Sequence, residues 1–178
     1  MPETAQEMAA RVRDGSVGDV RLISGSYLQD WLLHDTDWNW RLDDAVGGPL
    51  RAVGDIGSHW LDLTSFVTGL RVSEVMADLA TFIPVRREPT GPVETFSTER
   101  STETRPREMR TEDAATILLR FEGGARGQYV RRKEMLSRDK PPVRAVLQLD
   151  LHLAPQDEDP LRLRRAVKFA AEADRAFA

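Results

Sequence analysis

The chain has 178 residues, 40% of them hydrophobic and 30% charged, which is typical of a soluble globular domain with a sizeable core. Its net charge of −4 is small, so the composition indicates neither a nucleic-acid partner nor an anionic membrane surface. It contains no cysteine, which excludes disulfides, thiolate nucleophiles and Cys-ligated metals. No apolar run approaches the roughly 18–20 residues of a membrane span, and the N-terminus lacks a signal-peptide pattern, so we expect a cytoplasmic protein.

The first part of the chain predicts a helix, a strand and an aromatic loop. Residues 3–14 carry apolar residues at helical spacing, and residues 19–31 alternate as in a β-strand. The loop at residues 35–41 holds two tryptophans among Asp, Asn and Arg, which form either a satellite core or a platform on which a sugar ring could stack. Gly47-Gly48-Pro49 then breaks the chain and would permit close approach of the backbone to a ligand.

The most informative stretch is a helix predicted from residue 55 to residue 68 and ended by Gly69. Asp55, His59 and Asp62 stand at i, i+4 and i+7, so they share one side of this helix. A second stripe, one residue later, is apolar and would pack on a core: Ile56, Trp60, Leu63 and Val67. One helix is thus predicted to carry a packing face beside an acid–base face.

The second half of the chain predicts a run of strands followed by an irregular tail. Apolar alternation indicates strands at residues 72–83, 115–121 and 126–130. Both faces of the 72–83 strand are partly apolar, so we expect a central strand, or one whose outer face meets another subunit. Residues 84–112 predict a long exposed loop or loose hairpin, and residues 161–172 predict a helix with a thin apolar stripe.

Asp55 and His59 are the candidate catalytic residues. His59 could act as a general base, because an imidazole titrates near working pH, and Asp55, one turn earlier, could orient it or tune its charge. The spacing taken alone favours the structural alternative, in which Asp55 caps the helix and His59 is a half-buried, hydrogen-bonded histidine. Asp62 is expected to give structural support, through the His59 ring or the neighbouring backbone.

The sequence argues against several other kinds of site. His34 and His152 lie outside any pair with metal-ligand spacing, and there is no H-E-x-x-H helix, so we expect no metal site. The acidic residues are too many and too scattered to single out a glycosidase pair. No P-loop, G-x-S-x-G or G-x-G-x-x-G motif occurs, so the chain carries no nucleotide-binding unit of its own.

Short motifs follow one another in a fixed order along the first part of the chain. They are GSYLQDW at 25–31, TDWNWR at 36–41, GG at 47–48, DIGSHWLD at 55–62, TED at 111–113 and LRFEGGARG at 119–127. This series resembles the C-terminal half of the Gfo/Idh/MocA oxidoreductases over residues 1–127, and the ordered series is more specific than any single motif.

The resemblance implies a fold and an activity. Members of the family are NAD(P)-dependent enzymes, many of which oxidise or reduce a hydroxyl of a sugar, inositol or similar polyol. An N-terminal Rossmann domain binds the dinucleotide, and the second domain is an α+β unit with helices on one face of an open, mostly antiparallel sheet. That sheet supplies the substrate pocket and often the subunit interface, which implies a sugar or polyol partner and a homo-oligomer formed through the sheet.

The resemblance also implies roles for individual residues. The D-x-x-x-H pair of the family matches Asp55 and His59, so His59 would exchange a proton with the reacting hydroxyl while Asp55 adjusts its charge. Trp38, Asn39 and Arg41 form the loop that is expected to bind the substrate.

Two departures from the family pattern matter. The Rossmann domain is absent, with its glycine-rich turn and Glu-Lys-Pro lysine, so the NAD or NADP of the parent family is not expected to bind this chain alone. After Gly127, residues 128–133 fit neither the family pattern nor a buried strand. We therefore expect an incomplete domain at residues 1–127 and an unmatched tail at 128–178, which we attribute to a change of reading frame near Gly127.

The function predicted from the sequence is that of a truncated substrate-binding and oligomerisation domain of an NAD(P)-dependent oxidoreductase, without turnover of its own. One alternative is a non-catalytic sugar-binding or dimerisation module. Others are an enzyme completed by a separate Rossmann protein, and a hydrolase that acts without nicotinamide.

Overall fold

The computed structural model describes residues 5–28, 32–91, 103–132, 146–153 and 164–172. Its helices are α1 (Ala5–Arg13), α2 (Asp44–Gly47) and α3 (Ser58–Thr68), with a 3-10 turn at Trp40–Leu42 and a π-helical turn at Val53–Gly57. Its strands are β1 (Val20–Leu28), β2 (Val72–Ala80), β3 (Val85–Pro89), β4 (Thr104–Glu108), β5 (Ala114–Phe121), β6 (Arg126–Arg132), β7 (Val146–Leu153) and β8 (Arg164–Glu172). None of the helices in these ranges is long and apolar enough to cross a membrane.

Six strands form one sheet in the order β2-β5-β6-β1-β7-β8, and β3 pairs with β4 in a separate two-stranded sheet. All neighbouring pairs of the large sheet are antiparallel except β6 and β1, which are parallel. The expected α+β fold with an open, mostly antiparallel sheet is confirmed.

Side-chain alternation along β5 shows which face of the sheet is covered. The buried side chains of this strand are Ala115, Ile117, Leu119 and Phe121. The intervening residues Thr116, Leu118 and Arg120 are exposed. Because successive side chains of a strand point to opposite faces, one face of the sheet belongs to the core and the other is open.

Helix α3 covers the inner face of the sheet through the predicted apolar stripe. Trp60 is fully buried and stacks on Tyr129 of β6, with ring centroids 4.8 Å apart. Ile56 and Val67 are also buried, and Leu63 packs partly against the same core. The helix ends at Gly69, whose φ of 68° is in the left-handed region, as predicted.

Several predicted boundaries change. The helical segment begins before Asp55, because the π-helical turn Val53–Gly57 continues into α3. The first strand ends at Leu28, and the predicted residues 29–31 lie outside the described ranges. The excursion at residues 84–112 contains the β3–β4 hairpin.

Two predictions for the tail are wrong. The strand predicted at residues 126–130 is confirmed as β6, which lies between β5 and β1. The expectation that residues 128–133 do not fit a buried strand is wrong, since Tyr129 of β6 is fully buried. The predicted helix at residues 161–172 is instead represented by β8, which pairs with β7. Short apolar runs do not distinguish helix from strand, and the decisive factor here is a neighbouring strand edge. The domain boundary at 127 and the change of reading frame stay predictions, which the gene sequence would test.

Strand β2 is not the central strand that we expected. Within the described part of the chain it pairs only with β5 and lies at the edge of the sheet. Its side chains Val75 and Met76 are 65% and 69% exposed, and Leu118 beside Met76 is 49% exposed. The alternative expectation, that the outer face of this strand meets another subunit, stays a prediction.

We expect Tyr129→Ala to lower the free energy of unfolding by about 3 kcal/mol or more, because it removes a buried aromatic ring and leaves a cavity against Trp60. Urea denaturation would measure the change. The control is Gln128→Ala, on the exposed face of the same strand, which should change stability by less than about 0.5 kcal/mol. Equal, small effects of both variants would contradict the placement of β6 in the core.

Candidate active site

Asp55 connects the candidate acid–base helix to the candidate substrate loop. It lies in the π-helical turn Val53–Gly57, and such turns are frequent at functional sites. Its Oδ1 is 3.2 Å from Nε of Arg41, and the two side chains are only 23% and 16% exposed. Arg41 belongs to the 3-10 turn Trp40–Leu42. This ion pair therefore joins two segments that the sequence had linked to function independently.

Glu112 holds the amino end of the helix that carries Asp55. Its two carboxylate oxygens both accept a hydrogen bond from the Arg51 N–H, each at 3.1 Å, and Oε1 also accepts from the Val53 N–H at 2.7 Å. Glu112 is itself buried. The helix is thus capped from a distant part of the chain, and the alternative in which Asp55 is the cap is wrong.

His59 is exposed in the first turn of α3, one helical turn after Asp55. The alternative of a half-buried histidine is wrong, since the side chain is open to solvent and to any small molecule that approaches this side of the helix. Asp62 lies one turn further along and is also exposed. Its predicted supporting role stays a prediction.

The substrate loop contains one buried residue, Asn39, and two tryptophans that are more accessible, Trp38 and Trp40. Asn39 is 2% exposed, and its Oδ1 accepts a hydrogen bond of 3.1 Å from the Arg41 N–H, so it shapes the 3-10 turn from within. Trp38 is half-buried. The Arg41 guanidinium lies over the ring of Trp40, 4.5 Å from the ring centroid, and Trp40 is 47% exposed. Trp40 was absent from our list of substrate-binding residues, although the two tryptophans of this loop had suggested a platform for a sugar ring.

Gly47 allows α2 to approach this loop closely. A Cβ at Gly47 would lie 3.1 Å from both the Cα and the carbonyl oxygen of Arg41, closer than side chains normally come to backbone. The glycine therefore accommodates the protein's own backbone, whereas we had expected it to accommodate a ligand.

Two buried arginines behind the loop were not predicted. Arg86 of β3 and Arg51 both donate to the carboxylate of Asp113, and all three side chains are at most 5% exposed. Burial lowers the pKa of the Arg86 guanidinium, and the nearby carboxylate of Asp113 opposes this shift. Isolated arginines in polar segments carry no sequence signal for such an arrangement, because only tertiary contacts bring residues 51, 86 and 113 together.

Comparison with known proteins places this arrangement in a family. The family model of the GFO/IDH/MocA C-terminal domain matches residues 5–133, well over half of the chain. The chain belongs to the GFO/IDH/MocA family. The match extends to residue 133, so it includes residues 128–133, which we had expected to fall outside the family pattern.

Individual relatives agree with the family match. Levoglucosan dehydrogenase from Pseudarthrobacter phenanthrenivorans is 31% identical over 117 residues, which are 65% of this chain and 30% of that enzyme. An oxidoreductase domain protein from Kribbella flavida has a similar structure, with a TM-score of 0.63 and 30% identity over 92% of this chain and 45% of its own. An inositol dehydrogenase homologue from Azotobacter vinelandii, solved with NAD+, shares the fold at 19% identity and a TM-score of 0.58, over 94% of this chain and 40% of its own. The chain thus spans less than half the length of each of these relatives.

In the described part of the chain, the helix start nearest the candidate site does not fit the pyrophosphate of a dinucleotide. A pyrophosphate is usually held by backbone amides at a helix amino end, after a glycine-rich turn. Here the amides of Arg51 and Val53 already donate to Glu112, and the sequence contains no G-x-G-x-x-G. Within the described ranges, no three His, Asp or Glu side chains are grouped so that they could hold a metal ion.

We expect Gly47→Ala to lower the free energy of unfolding by about 1–3 kcal/mol, because the added methyl group must displace the backbone of Arg41. Thermal unfolding would measure the loss. Gly54→Ala is the matched control, since its Cβ would meet only the Leu50 side chain at 3.4 Å and alanine favours helical backbone by up to about 1 kcal/mol. A Gly47→Ala protein as stable as wild type would contradict the close approach.

Proposed function

We propose that this chain is the substrate-binding and oligomerisation domain of an NAD(P)-dependent oxidoreductase that acts on a hydroxyl of a sugar, inositol or similar polyol. The observation that carries the proposal is the ion pair between Arg41 and Asp55. The pair joins the carboxylate of Asp55 to the loop of Trp40 and Arg41, and exposed His59 lies one helical turn after Asp55. It supports the proposal because the chain belongs to the GFO/IDH/MocA family.

His59 is the proposed proton-transfer residue. Its exposed imidazole can accept the proton of a substrate hydroxyl during oxidation and return it during reduction. Asp55, one turn earlier, would stabilise the positive charge that the imidazole acquires, and Arg41 holds the Asp55 carboxylate in place. Proton exchange and orientation of the hydroxyl are therefore the tasks that we assign to this chain.

The hydride chemistry would belong to a nicotinamide bound elsewhere. Levoglucosan dehydrogenase has been solved with NADH, whereas in the described part of this chain Glu112 occupies the backbone amides at the start of the Asp55 helix. We therefore expect no hydride transfer by the chain alone, and we expect activity only when a Rossmann domain is supplied. Micromolar binding of NADH or NADPH to the pure chain, measured by titration calorimetry, would overturn this assignment.

A carbohydrate is the proposed substrate class. The levoglucosan dehydrogenase relative is named for an anhydrosugar and has been solved with L-sorbose as well as with levoglucosan. In this chain, half-exposed Trp40 and half-buried Trp38 could stack on a sugar ring, while Arg41 could donate to its hydroxyls. Asn39, which we predicted as a direct ligand, is instead proposed to contribute by shaping the turn.

We expect His59→Asn to lower kcat by roughly 100–10,000-fold while leaving sugar binding intact, since it removes only the group that exchanges the proton. Levoglucosan, L-sorbose and myo-inositol would be tested by saturation-transfer NMR on the chain. Turnover would be measured after the chain is fused to the Rossmann domain of a levoglucosan dehydrogenase. Ser65→Ala, a change at an exposed position further along the same helix, is the control and should keep both properties. An active His59→Asn fusion would contradict the proposed role.

A dimerisation module is the second candidate function, and the exposed outer face of the sheet favours it. Met76 of β2 and Leu118 of β5 are paired neighbours on this face and are 69% and 49% exposed. Glu74 and Arg120 form an ion pair of 2.9 Å beside them. Apolar side chains with a polar rim are typical of a subunit interface.

We expect Met76→Lys to convert a dimer into a monomer, because it places a charge at the centre of this apolar patch. Light scattering coupled to gel filtration would give the mass. Val46→Lys, which changes an equally exposed apolar residue in α2, should leave the mass unchanged. A monomeric wild-type chain, or a Met76→Lys dimer, would contradict oligomerisation through the sheet.

A further inference from the structure

Asp113 lies at the centre of a buried ionic cluster with Arg51 and Arg86. Its Oδ1 accepts hydrogen bonds from Nη2 of both arginines, the one from Arg86 at 3.0 Å. Its Oδ2 accepts from the N–H groups of Phe82 and Ile83, at 2.8 and 2.9 Å. The carboxylate is therefore satisfied on both oxygens, and its position is set by four donors from three segments of the chain.

The two arginines connect Asp113 to different halves of the candidate site. Arg51 belongs to the segment capped by Glu112, and its carbonyl accepts a hydrogen bond of 2.9 Å from the Asp55 N–H. Arg86 donates from Nη1 to the His34 carbonyl at 2.7 Å and from Nη2 to the Leu32 carbonyl at 3.0 Å. These carbonyls lie at the start of the loop that continues to Arg41.

The contacts close into a ring. One arm runs from Asp113 through Arg51 to Asp55, and the other runs through Arg86 and the loop to Arg41. The ion pair of 3.2 Å between Arg41 and Asp55 completes it. Because the contacts form a closed ring, a change in either arm alters the distance between Arg41 and Asp55.

We propose that Arg86 is a positioning residue of the candidate active site. It acts through Asp113 and fixes the positions of Trp40 and Arg41 relative to Asp55. Its relevance to catalysis rests on the proposed function. Buried ion pairs are often no more stabilising than apolar residues of similar volume, so stability alone does not account for the cluster. The planar guanidinium fork binds Asp113 and two carbonyls from two separate nitrogens, whereas a lysine would have to reach all three acceptors from a single nitrogen.

The test uses the whole chain labelled with 5-fluorotryptophan. The chain has four tryptophans, and each gives its own 19F resonance. The variant is Arg86→Lys, which keeps the positive charge beside Asp113 but loses the fork. We expect the Trp40 resonance to shift, because its ring lies against Arg41, and we expect the resonance of the core residue Trp60 to stay in place. Tryptophan-to-phenylalanine variants assign the resonances.

Arg87→Lys is the matched control. Arg87 is the next residue of β3, but it is exposed and pairs with the exposed side chain of Asp35, so no resonance should move. An unchanged Trp40 resonance in Arg86→Lys would overturn the proposal. A joint shift of Trp40 and Trp60 would also overturn it, because the cluster would then only support the fold.

Arg51→Lys tests the other arm of the ring and decides the matter if Arg86→Lys does not fold. It should reproduce the selective shift of Trp40, and a shift of all resonances or of none would count against the proposal. The 19F measurement needs neither sugar nor turnover. It therefore remains decisive even if His59→Asn disproves the proposed function.

Discussion

The buried carboxylates of Glu112 and Asp113 are the interaction on which the rest of this structure depends. A carboxylate removed from water must be hydrogen-bonded and neutralised, or the fold loses several kcal/mol. Glu112 meets this requirement with backbone amides at the start of the Asp55 helix, and Asp113 meets it with Arg51, Arg86 and the turn after β2. Two adjacent residues thereby hold the helix, the hairpin and the loop together.

This arrangement also determines what the site can do. Because a protein carboxylate occupies the amides at the helix start, that end is closed to a pyrophosphate, while the exposed side of the helix presents His59. The same helix buries Trp60 against Tyr129 on the inner face of the sheet. The packing residues and the proposed proton-transfer residue therefore occupy different sides of one element, and the outer face of the sheet remains exposed.

Periodicity alone located α3, its apolar stripe and its Gly69 terminus, because burial at helical spacing is a local property of the sequence. It also located the alternating strand β5. It failed at β8, where a short apolar run suits a helix as well as a strand and the partner strand decides between them. It indicated the strand at residues 126–130 as well, but it missed the burial of Tyr129, because charged residues follow this position in the sequence.

The sequence by itself determined the family and the order of its motifs, and it singled out Asp55, His59 and Arg41 as residues of interest. It could not show that Arg41 contacts Asp55, that Glu112 caps the helix, or that Arg86 lies buried beneath the loop. Those contacts join residues between 14 and 61 positions apart in the numbering, as with Arg41 and Asp55 or Arg51 and Glu112. Local sequence patterns do not identify such partners, because a buried charge meets its hydrogen-bond donors only in the tertiary structure.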